Sequence, residues 1–67
     1  MTEFPNSSHI AGADYDEAKR TLTLTFRKGG NYTYHDVGKT CYQGLCEAPS
    51  AGRYFRQHIK GVYEWSR

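Results

Sequence analysis

Sixty-seven residues make one domain, and a chain this short hides only about 60% of the surface its unfolded form exposes, so a deep active-site cleft is excluded. Ten aromatic residues in a chain that is 37% hydrophobic place rings, rather than many aliphatics, in the core. The formal charge of +2 conceals a split that suits an acidic partner: residues 1–18 carry Glu3, Asp14, Asp16 and Glu17 without a lysine or arginine, whereas residues 19–67 hold all nine basic residues against three acids.

Residues 1–8 read as a flexible N-terminal leader, because Pro5 restricts Phe4 to extended geometry and offers nothing to a helix. The small and apolar residues from His9 to Tyr15 predict a first strand. Ile10 and Tyr15 fall on opposite faces of that strand unless a bulge near Gly12 resets the alternation. After a polar turn over Asp16 to Arg20, Thr21-Leu-Thr-Leu-Thr-Phe26 alternates strictly, with Leu22, Leu24 and Phe26 on one face and three threonines on the other. A three-residue loop of Lys28, Gly29 and Gly30 then predicts a hairpin that pairs Phe26 with Tyr32 and Leu24 with Tyr34, glycine supplying a positive φ.

Gly38 to Ala48 places Cys41, Leu45 and Ala48 on one helical face and Lys39, Gln43 and Glu47 on the other. Pro49 ends that helix, Ser50 caps a second that carries Phe55 and Ile59 four residues apart, and Gly61 stops it. On the first helix Cys41 and Cys46 have Cα atoms about 8 Å apart and diverging directions, which forbids a bridge between them. No apolar run approaches the roughly 20 residues of a membrane span and no charged-apolar-small leader is present, so the cytoplasm is the expected compartment. The reading is an α+β fold: a three-stranded antiparallel β-meander followed by two short helices packed on one face. It assigns residues 9–63 to a single domain and 64–67 to a C-terminal tail.

These landmarks resemble the KTSC domain, a small family called after its occurrence at the C-terminus of certain lysyl-tRNA synthetases. The residues that carry the resemblance are Ser8, Ile10, Tyr15-Asp16, Leu22 to Phe26, Gly30, Tyr32, Tyr34, Val37, Tyr42 and Leu45, followed by Ala48, Ser50, Gly52, Tyr54-Phe55, Ile59 and Tyr63. Gly38 stands where the family often shows proline, and Gly44 interrupts the first helix at a cost of about 1 kcal/mol relative to alanine. The resemblance implies a non-catalytic module with no cofactor and no catalytic residues to carry over. Because Met1 begins the chain and the pattern fills nearly all of it, from about Ser7 to Tyr63, a copy that acts alone is expected, of a kind that by resemblance includes phage-type regulators binding the host RNA polymerase.

For contact with a partner the sequence offers two features. Arg53, Arg56 and Lys60 fall within about 60° of one another on a helical wheel, a stripe that is a solvated face, a dock for an acidic protein or a weak contact for RNA phosphates. Trp65, beyond the last family landmark, either covers the small core or stands exposed as an anchor. The other basic pairs, Lys19-Arg20 and Arg27-Lys28, occupy turns at opposite ends of the sheet and cannot form one patch. Tyr32 and Tyr34 resemble the stacking pairs of single-strand RNA binders, but the predicted register turns both inward. His9, His35 and His58 have no metal-ligand spacing with either cysteine, so no metal is expected. The expected protein is a monomeric, non-enzymatic regulator that docks on the transcription or translation machinery, RNA polymerase being the favoured case, with RNA binding as the alternative.

Overall fold

The strict alternation of Thr21–Phe26 becomes the centre of a five-stranded antiparallel sheet with strands in sequence order. A computed structural model describes residues 2–5 and 7–67; of the leader, Met1 and Asn6 lie outside the described residues. The elements are β1 (Thr2–Glu3), β2 (Ile10–Asp16), β3 (Thr21–Phe26), β4 (Gly30–Tyr34), α1 (Lys39–Glu47), α2 (Ala51–His58) and β5 (Trp65–Ser66). Both helices pack on one face of the sheet, as the α+β reading expects. The two extra strands come from the leader and the tail, so the predicted three-stranded meander acquires an outer strand of two residues on each edge.

The bulge expected near Gly12 is present: Ile10 pairs with Phe26 but Gly12 with Thr25, leaving Ala11 as the extra residue. Its effect is to bring Ile10, Ala13 and Tyr15 onto the same face, where Ile10 and Ala13 are fully buried with Leu22 and Leu24. Asp16 closes the next turn by accepting the Ala18 and Lys19 N–H groups on its carboxylate, which fixes the Tyr15-Asp16 landmark as strand end plus turn.

The β3–β4 hairpin departs from the predicted register by two residues. Phe26 pairs with Gly30, Leu24 with Tyr32 and Leu22 with Tyr34, and the three-residue loop is Arg27, Lys28 and Gly29. Gly30, with φ of 81°, supplies the positive dihedral from the first strand position rather than from the loop itself. A slip of two residues preserves which face each side chain takes, so the tyrosines still point inward with the leucines. It changes what lies opposite Phe26, which is a glycine with no side chain to cover it.

Helix α1 buries Leu45 on the core, and Gly44 has a packing reason: a Cβ there would meet the ring and hydroxyl of Tyr54 on α2, with Tyr54 Cζ 2.9 Å away. In α2 the Ser50 hydroxyl accepts the Arg53 N–H at 3.3 Å, the expected cap, and Ala51, Gly52 and Phe55 are buried. Gly61, with φ of 80°, turns the chain back so that Val62 and Tyr63 donate to the Ile59 carbonyl. The chain then returns along β4: Tyr34 pairs with Trp65, Thr33 with Ser66, and the His35 N–H donates to the Glu64 carbonyl at 2.9 Å.

Candidate functional site

Because Phe26 faces a glycine, the core face of the sheet is open at the β3–β4 loop. The opening is a pocket of about 470 Å³. Phe26, Tyr32 and Tyr34 from the sheet, Phe55 from α2, Trp65 from β5 and His9 ahead of β2 supply its rings, with Ser8, Lys28, Gly29 and Lys60 completing the lining. The rings meet edge-on: Phe26 with Tyr32 at 5.3 Å and 85°, Phe26 with Phe55 at 5.2 Å and 69°, and Tyr32 with Trp65 at 5.1 Å and 62°. Such geometry suits the ring quadrupoles and leaves ring surface facing the cavity. His9 continues the wall, its ring 5.2 Å from Phe26, and the Ser7 hydroxyl holds it there by accepting the His9 and Ile10 N–H groups.

The charges around this pocket are of one sign. Lys28 reaches it from the hairpin loop and Lys60 from the turn after α2, and among the described residues no aspartate or glutamate lines it. The Arg67 guanidinium lies 5.1 Å from the centre of the Tyr32 ring. Elsewhere three of the basic residues are committed to structure. Arg27 donates to the Phe4 and Ser7 carbonyls at 2.8 and 2.6 Å and ties the leader to the hairpin. Arg20 and Lys39 form exposed ion pairs with Asp36 and Glu17.

The four residues predicted for partner contact therefore separate. Lys60 and Trp65 both line the pocket, and Trp65 is 53% exposed, the exposed one of the two expected alternatives. Arg53 lies instead beside a smaller groove with Pro49, Tyr54 and Gln57, and Arg56 is exposed and lines neither. Sequence reasoning missed Phe26, Tyr32, Lys28 and His9. The alternation Tyr63-x-Trp65-x-Arg67 was too short a signal to place Trp65 beside the sheet's aromatics.

Tyr34 is 4% exposed, and burial, with a lesser contribution from Tyr32, raises its hydroxyl above the ordinary tyrosine pKa. Burial followed by the neighbouring Cys41 does the same to Tyr54 and Tyr63. Both cysteines are free thiols, as the helical spacing requires. The helix-free face of the sheet presents Thr23 and Thr33, joined by a hydroxyl hydrogen bond of 3.2 Å, with Thr21 and Thr25 beside them. Among the described residues no group of three or more His, Cys, Asp or Glu side chains stands together, and no helix is long and apolar enough to cross a membrane.

Fold and site together define a small α+β module with an open aromatic pocket under a basic rim. The chain belongs to the KTSC domain family, whose pattern matches residues 6–63. Its fold superimposes on the crystal structure of a KTSC domain protein from Yersinia pestis with a TM-score of 0.94 and 33% identity, covering 100% of this chain and 94% of that one. A lysine–tRNA ligase of Nostoc sp. is 38% identical over 63 residues, which are 94% of this chain but 11% of the ligase. That of Trichormus variabilis is 36% identical over the same span, again 11% of its length. A protein of Tsukamurella paurometabola is 37% identical over 54 residues, 81% of each chain.

Proposed function

We propose that this protein is a non-enzymatic binding module for RNA, acting as a monomer in the cytoplasm, with the aromatic pocket as its contact surface. The observation that carries this reading is the coincidence of an aromatic lining, with Trp65 exposed, and Lys28 and Lys60 in one cavity that no described acid lines. Rings hold bases by stacking, and lysines neutralise phosphates. The tRNA ligases among the relatives support the same reading, since the matched region belongs to proteins named for an RNA substrate.

A second reading is favoured by Arg53 and Arg56, which are exposed, lie outside the pocket and have no ion-pair partner among the described residues. It makes α2 a dock for an acidic surface of the transcription or translation machinery, RNA polymerase in the case of a phage-type regulator.

One experiment separates them: affinity capture from bacterial lysate with and without nuclease, using the parent chain, Lys28→Glu/Lys60→Glu and Arg53→Glu/Arg56→Glu. RNA binding requires nuclease-sensitive capture that the lysine pair abolishes and the arginine pair leaves largely intact. A protein retained after nuclease and lost with the arginine pair would replace the RNA reading with the docking one.

A further inference from the structure

We infer that the pocket takes one unstacked base of single-stranded RNA, with Lys28 and Lys60 on the neighbouring phosphates. This inference rests on the RNA-binding reading and specifies how that site is used.

Size comes first. Small-molecule clefts run from about 300 to 1,000 Å³. A cavity of about 470 Å³ lies within that range and has room for a nucleoside-sized group.

Shape comes second. Trp65 and Tyr32 stand 62° apart at 5.1 Å and form a corner in which a planar group stacks on one ring and meets the edge of the other. Trp65 is half-exposed in the free protein, so covering it removes apolar surface from water.

The third observation is polar. The Tyr34 hydroxyl has no hydrogen-bond partner among the described residues, although its residue is 4% exposed and lines the pocket. No fully enclosed side-chain oxygen or nitrogen among them lacks a partner, so this hydroxyl keeps some solvent contact, on a residue that lines the cavity. An aliphatic or phenyl group from a protein partner would seal it there unsatisfied. A base edge, with donors and acceptors in its own plane, satisfies it.

The charges complete the fit. Lys28 and Lys60 come from two separate segments, the hairpin loop and the turn after α2, and so mark two positions on the rim. One nucleotide in a strand has a phosphate on each side. In an A-form duplex the base is stacked and paired, and its entry would cost unpairing as well as unstacking. The site therefore discriminates by strandedness.

Trp65 is the only tryptophan, and its emission reports directly on stacking in the pocket. Single-stranded oligo(A) and oligo(U) of about ten nucleotides, within the usual span of such sites, are titrated against the intact chain beside a duplex of equal length. The expected result is saturable quenching by the single strands and binding at least about 10-fold weaker for the duplex. With a labelled oligonucleotide read by anisotropy, Trp65→Ala weakens binding about 10-fold or more, and Tyr34→Phe, which keeps the ring, weakens it several-fold. Lys28→Ala and Lys60→Ala each reduce the slope of log K against log salt by about 0.7. Circular dichroism confirms that each variant is folded.

Equal affinity for duplex and single strand, or undiminished binding of a strand carrying abasic sites, overturns the base pocket while leaving RNA binding in place. Quenching by single-stranded DNA in place of RNA keeps the base pocket and overturns the RNA reading. Failure to bind any nucleic acid, with quenching by a phenylalanine-containing acidic peptide, overturns both.

Discussion

The two ends of the sheet's helix-covered face carry tyrosines of the same type in opposite circumstances. At the β1–β2 end, Tyr15 and Tyr42 stack 5.2 Å apart and nearly parallel, the Tyr15 hydroxyl donates to the Val37 carbonyl at 2.6 Å, and the Tyr42 hydroxyl shares a 2.7 Å hydrogen bond with Thr2. At the β4–β5 end, Tyr32 packs edge-on against Trp65, Tyr34 is buried with its ring 5.7 Å from Phe55, and neither hydroxyl has a partner among the described residues. A tyrosine whose polar tip is satisfied internally completes a core. A tyrosine whose tip opens on a cavity still has a hydrogen bond to give. The proposed base pocket rests on this difference between the two ends.

Phe55 is the ring on which this contrast depends, since it touches Phe26 and Tyr34 at the open end while being 5% exposed itself. Phe55→Ala should cost about 3–5 kcal/mol and leave the domain largely unfolded, checked by thermal melting. If it melts within about 1 kcal/mol of the parent, the pocket wall is not part of the core.

Tyr15→Phe comes next, because it strands the Val37 carbonyl at the closed end. A loss of about 1–3 kcal/mol by urea denaturation is expected, whereas Tyr34→Phe should cost distinctly less. Equal losses would erase the distinction between the ends.

Gly44→Ala tests the packing between the helices. Propensity alone favours alanine by about 1 kcal/mol, yet the new methyl must displace the Tyr54 ring, so the net result should be a loss of about 1 kcal/mol. In a Tyr54→Ala background the same substitution should become stabilising, which a double-mutant cycle measures.

The smallest effect on stability is expected for Trp65→Ala. Its side chain is half-exposed on a two-residue edge strand, so the melting midpoint should move by no more than about 0.5 kcal/mol equivalent while ligand binding falls. A large loss of stability would make Trp65 a core residue after all.

Much of the fold was legible because it follows from local rules. Leu22, Leu24 and Phe26 could only share a face, Ser50 could only cap a helix ahead of Arg53, and the conflict between Ile10 and Tyr15 demanded the bulge that is found. The two terminal strands were not legible from length alone. Two residues carry too little alternation to register, and they become strands only because β2 and β4 offer unpaired edges.

The pocket was partly legible. Trp65 and Lys60 were singled out for exposure and charge, each on its own segment. The stripe that joined Lys60 to Arg53 and Arg56 divides because Lys60 lies beyond the last residue of α2, next to the hairpin loop.

What the sequence determined by itself was the set of faces: which residues point to the core, which threonines point away, where each helix begins and ends. Alternation and capping are properties of neighbours along the chain, and neighbours are always visible. The tertiary structure alone decided that Phe26 would face Gly30, and that Lys28, Lys60 and Trp65, from three separate segments, would meet around the gap this leaves. A register slip of two residues keeps every face unchanged, so no periodic pattern can report it; only the closing of the hairpin fixes which ring goes uncovered.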